Sequence, residues 1–202
     1  MGQRPAVDWS EEGGLLGLAA APDLTAYIPS VQARWLVDNP SLRWQELDAS
    51  LVMADVSGFT PLAERLARRG KIGAEELTDV LNTVFRDLLS LAAGQGGDCL
   101  KFGGDAIFLM FTGTGHADRA CAAAAAMQRA LSPGGSLARA LGSTKLKLSL
   151  GVHSGRVQLF LAGRTHEELV VAGPAVSETL AMEAAAGAGE VMISEATRTL
   201  VG

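Results

Sequence analysis

Two short apolar runs constrain this chain more than any other feature. One is LVMADVSGFT at residues 51–60 and the other is CLKFGGDAIFLMF at residues 99–111. Each sets one aspartate, Asp55 or Asp105, beside an apolar stretch and close to glycine. A carboxylate next to a buried strand is costly unless something compensates it. Residues 51–56 predict a buried strand, broken by Ser57 and Gly58. Residues 99–102 and 106–111 predict a hairpin, with Gly103 and Gly104 where the chain must turn tightly. If the hairpin and the first strand are neighbours in one sheet, both carboxylates converge on one edge.

That convergence suggests a chemistry. Asp55 leads through Val56, Ser57, Gly58, Phe59 and Thr60 into a predicted helix. The free N–H groups and positive dipole end of a helix start attract phosphate. A carboxylate just before them repels phosphate unless a cation lies between, and Mg²⁺ takes one or two carboxylates while bridging to phosphate oxygens. Either aspartate alone reads as a turn or cap residue. The pair favours a shared divalent cation and a phosphate-bearing ligand, the core of two-metal catalysis on triphosphates. Lys101 reads equally as a companion on the strand face of Asp105 or as a surface lysine stretched over apolar neighbours.

The rest of the chain predicts alternating strands and helices. Pro61 suits a first helical turn, Leu62 and Leu66 continue it, and Arg68-Arg69-Gly70 ends it. A longer helix follows over 74–93, with Leu77, Leu81, Val84, Leu88 and Leu91 on its buried face and Gly94 as its cap. An alanine-rich helix over 116–131 leads to a loop at Pro133-Gly134-Gly135. Strands are expected at 146–153 and 156–161, turning at Ser154 and Gly155, and again at 169–172. Pro174 opens a helix to residue 185, before a strand at 191–194 and a helix at 195–200. Hairpins mixed with helices predict an α+β fold, with helices on one face of a mostly antiparallel sheet. Neither a strand–GxGxxG–helix unit nor a GxxxxGK[ST] loop occurs. Residues 1–50 read as an arm packed on a domain of residues 51–202. The arm has a polar start, a short helix at 15–20 ending near Pro22, and Tyr27, Trp35, Leu36 and Trp44 as apolar anchors.

A length of 202 residues suits one domain with a full core. Hydrophobic residues make up 48% and charged residues 19%, which excludes a disordered chain, and a net charge of −5 offers no footprint for nucleic acid. Cys99 and Cys121 are expected to be buried free thiols. His116, His153 and His166 lack metal-ligand spacing and read as solvated or hydrogen-bonded. No apolar run reaches the roughly 20 residues of a bilayer span, and no basic-then-apolar leader opens the chain, so a cytoplasmic protein with no membrane span is expected. The chain stops at Val201-Gly202, just after a short helical pattern, as an excised piece of a longer protein would.

DVSGFT followed by LKFGGDAIF resembles the class III nucleotidyl cyclase catalytic domain, the adenylate and guanylate cyclase family. The likeness continues through KLSLGVHSGRV, VVAGPAV and GEVMIS, over residues 51–202. Within the family it looks most like the first cyclase domain of bicarbonate-responsive soluble adenylate cyclases, and PDL at residues 22–24 adds to that likeness. The resemblance implies a ferredoxin-like βαββαβ core, palm-like, with extra strands. It implies a head-to-tail pair of domains that makes cyclic AMP from ATP, or cyclic GMP from GTP, releasing pyrophosphate. Asp55 and Asp105 become the catalytic, metal-binding aspartates for two Mg²⁺ or Mn²⁺ ions. Val56 adds a backbone carbonyl, and Ser57, Gly58, Phe59 and Thr60 offer N–H groups to the triphosphate.

The departures from the family pattern are as informative. The asparagine and arginine that complete such sites correspond to Ser177 and Ala181; serine is too short for the task and alanine has no donor. The residue that reads the purine corresponds to Val170, which neither accepts nor donates. The resemblance therefore implies the metal-binding half of an adenylate cyclase, completed by a second cyclase domain on the same polypeptide or a homologous chain. Lys101 corresponds to a lysine facing the degenerate twin of the site, where an activator binds. Its arginine companion in the bicarbonate-responsive enzymes corresponds to Leu180, with Arg156 and Arg164 as other candidates. One alternative is a catalytically inactive pseudo-cyclase that binds nucleotide or serves dimerisation. Another is a diguanylate cyclase, since GGDAIF resembles the GGDEF signature, although Ala106 replaces its glutamate.

Overall fold

The computed structural model describes residues 28–142, 144–163 and 167–202. The expected helix at 15–20, the PDL segment, Tyr27, Arg164 and His166 lie outside them. The elements are α1 (Ser30–Asp38), β1 (Trp44–Ser57), α2 (Phe59–Ala67), α3 (Lys71–Gly94), β2 (Asp98–Gly103), β3 (Ala106–Thr112), α4 (His116–Leu131) and α5 (Ser136–Ala140). They continue as β4 (Lys147–Ala162), β5 (Glu168–Ala172), α6 (Pro174–Ala185), β6 (Val191–Ile193) and α7 (Glu195–Arg198).

The strands form one mixed sheet in the order β2-β3-β1-β4-β5, antiparallel throughout, with β6 added parallel to β4. β1 and β4 lie at its centre and pair from Trp44↔Phe160 to Ser57↔Lys147. The pleat sends alternate residues to opposite faces. Val52, Ala54 and Val56, with Leu148, Leu150 and Val152, meet Val84 and Leu88 of α3 and Ala123 and Met127 of α4. Ala49, Leu51, Val157 and Leu159 meet Val31 and Trp35 of α1 and Ala175 of α6 on the other side. Helices therefore cover both faces, not one as expected. The central strands are apolar in both registers, so each face must be shielded from water.

Two strand boundaries differ from the sequence reading. β1 begins at Trp44, ahead of the expected start at residue 51, because residues 44–48 alternate between exposed and half-exposed positions and so look polar. β4 is one continuous strand, and Ser154 and Gly155 do not turn: Ser154 pairs with Ser50 and Gly155 with Ala49. Ser-Gly is a local turn signal, but here the length of β1 offers a partner to every residue of β4. Glycine inside a strand then marks a close approach instead. At Gly151 the approach is to α6: a Cβ there would lie 2.1 Å from Glu183 N and 2.6 Å from Thr179 O. Both obstacles are backbone, so Gly151→Ala must displace the helix. It is expected to cost about 3 kcal/mol, the upper part of the overpacking range, read as a lower urea midpoint at unchanged slope. Gly103→Ala, with nothing within 4 Å of the added methyl, is the control and should stay within about 0.5 kcal/mol of the parent.

Cys99 and Cys121 are both free thiols. Burial first, and then the charge of Asp98, push the Cys99 thiol up to about 11, against a backbone hydrogen bond from Lys101. No helix among the described residues is long and apolar enough to cross a membrane.

Candidate active site

Asp55 lies near the end of β1, opposite Ala106 on β3 and Ser149 on β4. Asp105 stands in the β2–β3 turn, which is Gly104-Asp105 closed by the pair Gly103↔Ala106. Gly104 takes φ +69° at the first central position, where a two-residue hairpin of the primed type needs glycine. The Val56 N–H donates to the Asp105 carbonyl at 3.3 Å, tying the turn to β1. The two carboxylates thereby share one end of the sheet. The Asp55 carboxyl is held above its usual range, first by burial and then by the negative charge of Asp105.

Glu183 of α6 joins this charged edge. Its carboxyl is also raised, first by burial and then by the charge of Asp55. The sequence reading missed it because Glu183 reaches the site only where α6 crosses Gly151. Among the described residues no ion pair involves Asp55, Asp105 or Glu183. Like charges without a counterion favour either a proton or a cation. The donor set fits a Mg²⁺-type ion, which takes one or two carboxylates and completes its shell with water and phosphate. Among the described residues no three or more His, Cys, Asp or Glu are grouped to hold a metal, so Glu183 adds charge near the pair without completing a protein cage.

Beyond Asp55 the chain turns through Ser57 and Gly58 into α2. Gly58 caps the helix in the left-handed region at φ +92°, and no side chain caps α2. A Cβ at Gly58 would lie 3.0 Å from Lys145 O, so glycine is needed for both space and backbone. The Phe59 and Thr60 N–H groups belong to the uncapped first turn, and Pro61 has none to offer. An open helix start thus stands a few residues from the aspartate pair.

Lys101 is not drawn to Asp105. Its Nζ lies 2.7 Å from Glu168 Oε1, while Asp105 sits in the turn and not on the strand face. Lys101 lines a mainly apolar cleft of about 270 Å³ with Met53, Phe102, Phe108, Val176 and Leu180. No second cation lines that cleft among the described residues. Arg156 pairs with Glu46 at 3.4 Å instead. On α6, Ala175 and Thr179 face the sheet, while Ser177, Leu180 and Ala181 are exposed; Val170 on β5 is exposed as well. A cavity of about 520 Å³ lies between α4, α5 and the start of β4, and neither aspartate lines it.

Comparison with known proteins places this arrangement. Residues 44–201 match the family described as the adenylate and guanylate cyclase catalytic domain. Adenylate cyclase type 10 of Rattus norvegicus is 32% identical over 95 residues, covering 46% of this chain and 6% of that protein. Adenylate cyclase 1 of Rhizobium meliloti (strain 1021) is 27% identical over 116 residues, covering 55% of this chain and 16% of that protein. The aligned stretches are thus small parts of these curated relatives. Among solved structures, the adenylyl cyclase CyaB from P. aeruginosa superposes with a TM-score of 0.68 at 29% identity, covering 79% of this chain and 82% of that one. The guanylyl cyclase Cya2 does so at 0.68 and 26% identity, covering 80% and 81%. The family match begins at Trp44, where β1 begins, and runs through every strand of the sheet. By sequence and by fold, the chain belongs to the adenylate and guanylate cyclase catalytic domain family.

Proposed function

We propose that this chain is the metal-binding half-domain of an adenylate cyclase, acting in the cytoplasm, which converts ATP to cyclic AMP and pyrophosphate when paired with a complementary cyclase domain. The observation that carries this reading is the meeting of Asp55 and Asp105 beside the uncapped start of α2. In the proposal the two carboxylates, with the Val56 carbonyl, hold two Mg²⁺ or Mn²⁺ ions. When bound, such ions supply Lewis-acid stabilisation to a triphosphate and to a 3′-oxygen nucleophile. The N–H groups of Ser57, Gly58, Phe59 and Thr60 orient the phosphates, so the chain contributes positioning and charge compensation. Its α6 presents Ser177 and Ala181 where family members carry asparagine and arginine, and neither stabilises charge developing on phosphate. Those groups therefore come from a partner domain in a head-to-tail pair. ATP is favoured over GTP by the adenylate cyclases among the relatives. Val170 reads neither base, so the partner makes that choice.

The exposed Ser177 and Ala181 also support a second reading, a pseudo-cyclase that binds nucleotide without turnover. Mixing the chain with a cyclase domain that bears the asparagine and arginine, in Mn²⁺ with ATP or GTP, separates the two. Cyclic AMP beyond what the partner makes alone is expected. Nucleotide binding without product favours the pseudo-cyclase, and absence of metal-dependent nucleotide binding rejects both.

A further inference from the structure

A chain of side-chain hydrogen bonds crosses the buried sheet away from the aspartates. His116 Nδ1 meets Ser50 Oγ at 2.8 Å, and Ser50 Oγ meets Ser154 Oγ at 2.6 Å. Thr197 Oγ1 donates to Ser154 Oγ at 3.0 Å and lies 3.1 Å from Ser194 Oγ. Ser194 Oγ meets His153 Nδ1 at 2.9 Å. The four hydroxyl residues are 0–8% exposed, and both imidazoles are half-buried. His116 opens α4, on the face covered by α3 and α4. His153 pairs directly with Leu51, on the α6 face. The chain therefore joins the two helical layers through the sheet.

Counting hydrogens gives the chain a direction. Five contacts need five hydrogens, and the four hydroxyls supply one each. The fifth must come from one histidine Nδ1, and the other Nδ1 must then accept. Thr197 donates to Ser154, so in this structure His153 Nδ1 is the donor and His116 Nδ1 the acceptor. A charged imidazolium carries hydrogen on both nitrogens, so protonating His116 must turn every hydroxyl the other way. If both rings donate, one hydroxyl hydrogen must leave the chain. The alternative acceptor for Thr197 is Val152 O at 3.5 Å, a long and weak contact. The Thr197 N–H, 3.2 Å from Ser194 Oγ, leaves the count unchanged.

We propose that this hydroxyl chain makes protonation of His116 and His153 mutually opposed, a proton-linked coupling between the α4 layer and the α6 layer. The charged groups facing His116 are Asp48 of β1 with Asp118 and Arg119 of its own helix, and Glu178 of α6 faces His153. On α7, Glu195 and Arg198 pair with each other. Burial is the first cause that holds both imidazoles below their ordinary value.

The test is histidine titration by NMR on the full chain, with no activity required. His116→Phe should move the His153 titration upward by roughly one pH unit, the scale of coupled sites. Thr197→Val keeps the shape and cuts the chain, so in that background His116→Phe should leave His153 where it was. Thr197→Ser keeps the hydroxyl and should retain the coupling. An equal shift of His153 with and without Thr197→Val would assign the effect to direct charge repulsion and overturn the relay. No shift in the parent background overturns it too. If Thr197→Val fails to fold, Ser154→Ala cuts the same chain and replaces it.

Discussion

Asp55→Asn is expected to raise the stability of the metal-free protein while removing its response to Mn²⁺ and nucleotide. The two effects share one cause. Burial and the neighbouring Asp105 raise the Asp55 carboxyl above its usual range. The folded chain then holds that proton more tightly than the unfolded chain. Between the ordinary carboxylate range and the raised value the folded state carries more protons, so stability falls as pH rises through that window. Asparagine removes the charge and with it this part of the pH dependence. Asp105→Asn should act in the same sense, and its main-chain carbonyl still accepts from Val56. With metal present the sign should reverse: the parent should gain stability from Mn²⁺ and ATP, and neither variant should. Cyclase activity in the complemented pair should fall at least about 100-fold, since even an outer-shell partner of a metal ligand costs 10–100-fold. Thermal melts at several pH values, with and without Mn²⁺ and ATP, check both halves. An Asp55→Asn protein that keeps its Mn²⁺-dependent stabilisation would end the metal-site reading, whatever its activity.

The second large effect is a gain. Ser177 and Ala181 lie four residues apart on the exposed side of α6, and that spacing puts two side chains on one helix face. Ser177→Asn with Ala181→Arg should convert a half-site protein into one that completes its own site as a homodimer. Removing one donor that acts on a transition state costs roughly 10²–10³-fold. Installing two should therefore raise cyclic nucleotide formation by at least about 100-fold over the parent assayed alone. The substitutions are cheap to the fold, because both positions are exposed and helix propensities there differ by under about 1 kcal/mol. Adding Asp105→Asn should return the gain to baseline. A double variant that binds Mn²⁺ and ATP yet turns over no faster than the parent would favour the pseudo-cyclase.

Much of the fold is legible in local patterns. The alanine-rich stretch 116–131 is α4 with the same bounds, since helix periodicity and its glycine start are local properties. The β2–β3 hairpin is legible too, although its turn is Gly104-Asp105 and not Gly103-Gly104. The division of β4 at Ser154 and Gly155 fails because the turn propensity of two residues is outweighed by a ladder with β1 that the local sequence does not contain. The histidines read as solvated or hydrogen-bonded; the partners of His116 and His153, Ser50 and Ser194, come from other elements, and no spacing rule links residues 66 and 41 positions apart.

The sequence by itself determined that helices alternate with strands, that a glycine turn makes a hairpin of residues 99–111, and that two aspartates stand beside apolar runs and close to glycine. Only the tertiary structure decided that Val56 binds the Asp105 turn, that Glu183 adds a third negative charge, and that six polar side chains line up through the sheet. The division has a physical reason. Propensity and periodicity are set within a turn or two of backbone. Charge coupling and hydrogen-bond direction depend instead on strand register and on the close seat of α6 over Gly151, which exist only once distant parts of the chain are in contact.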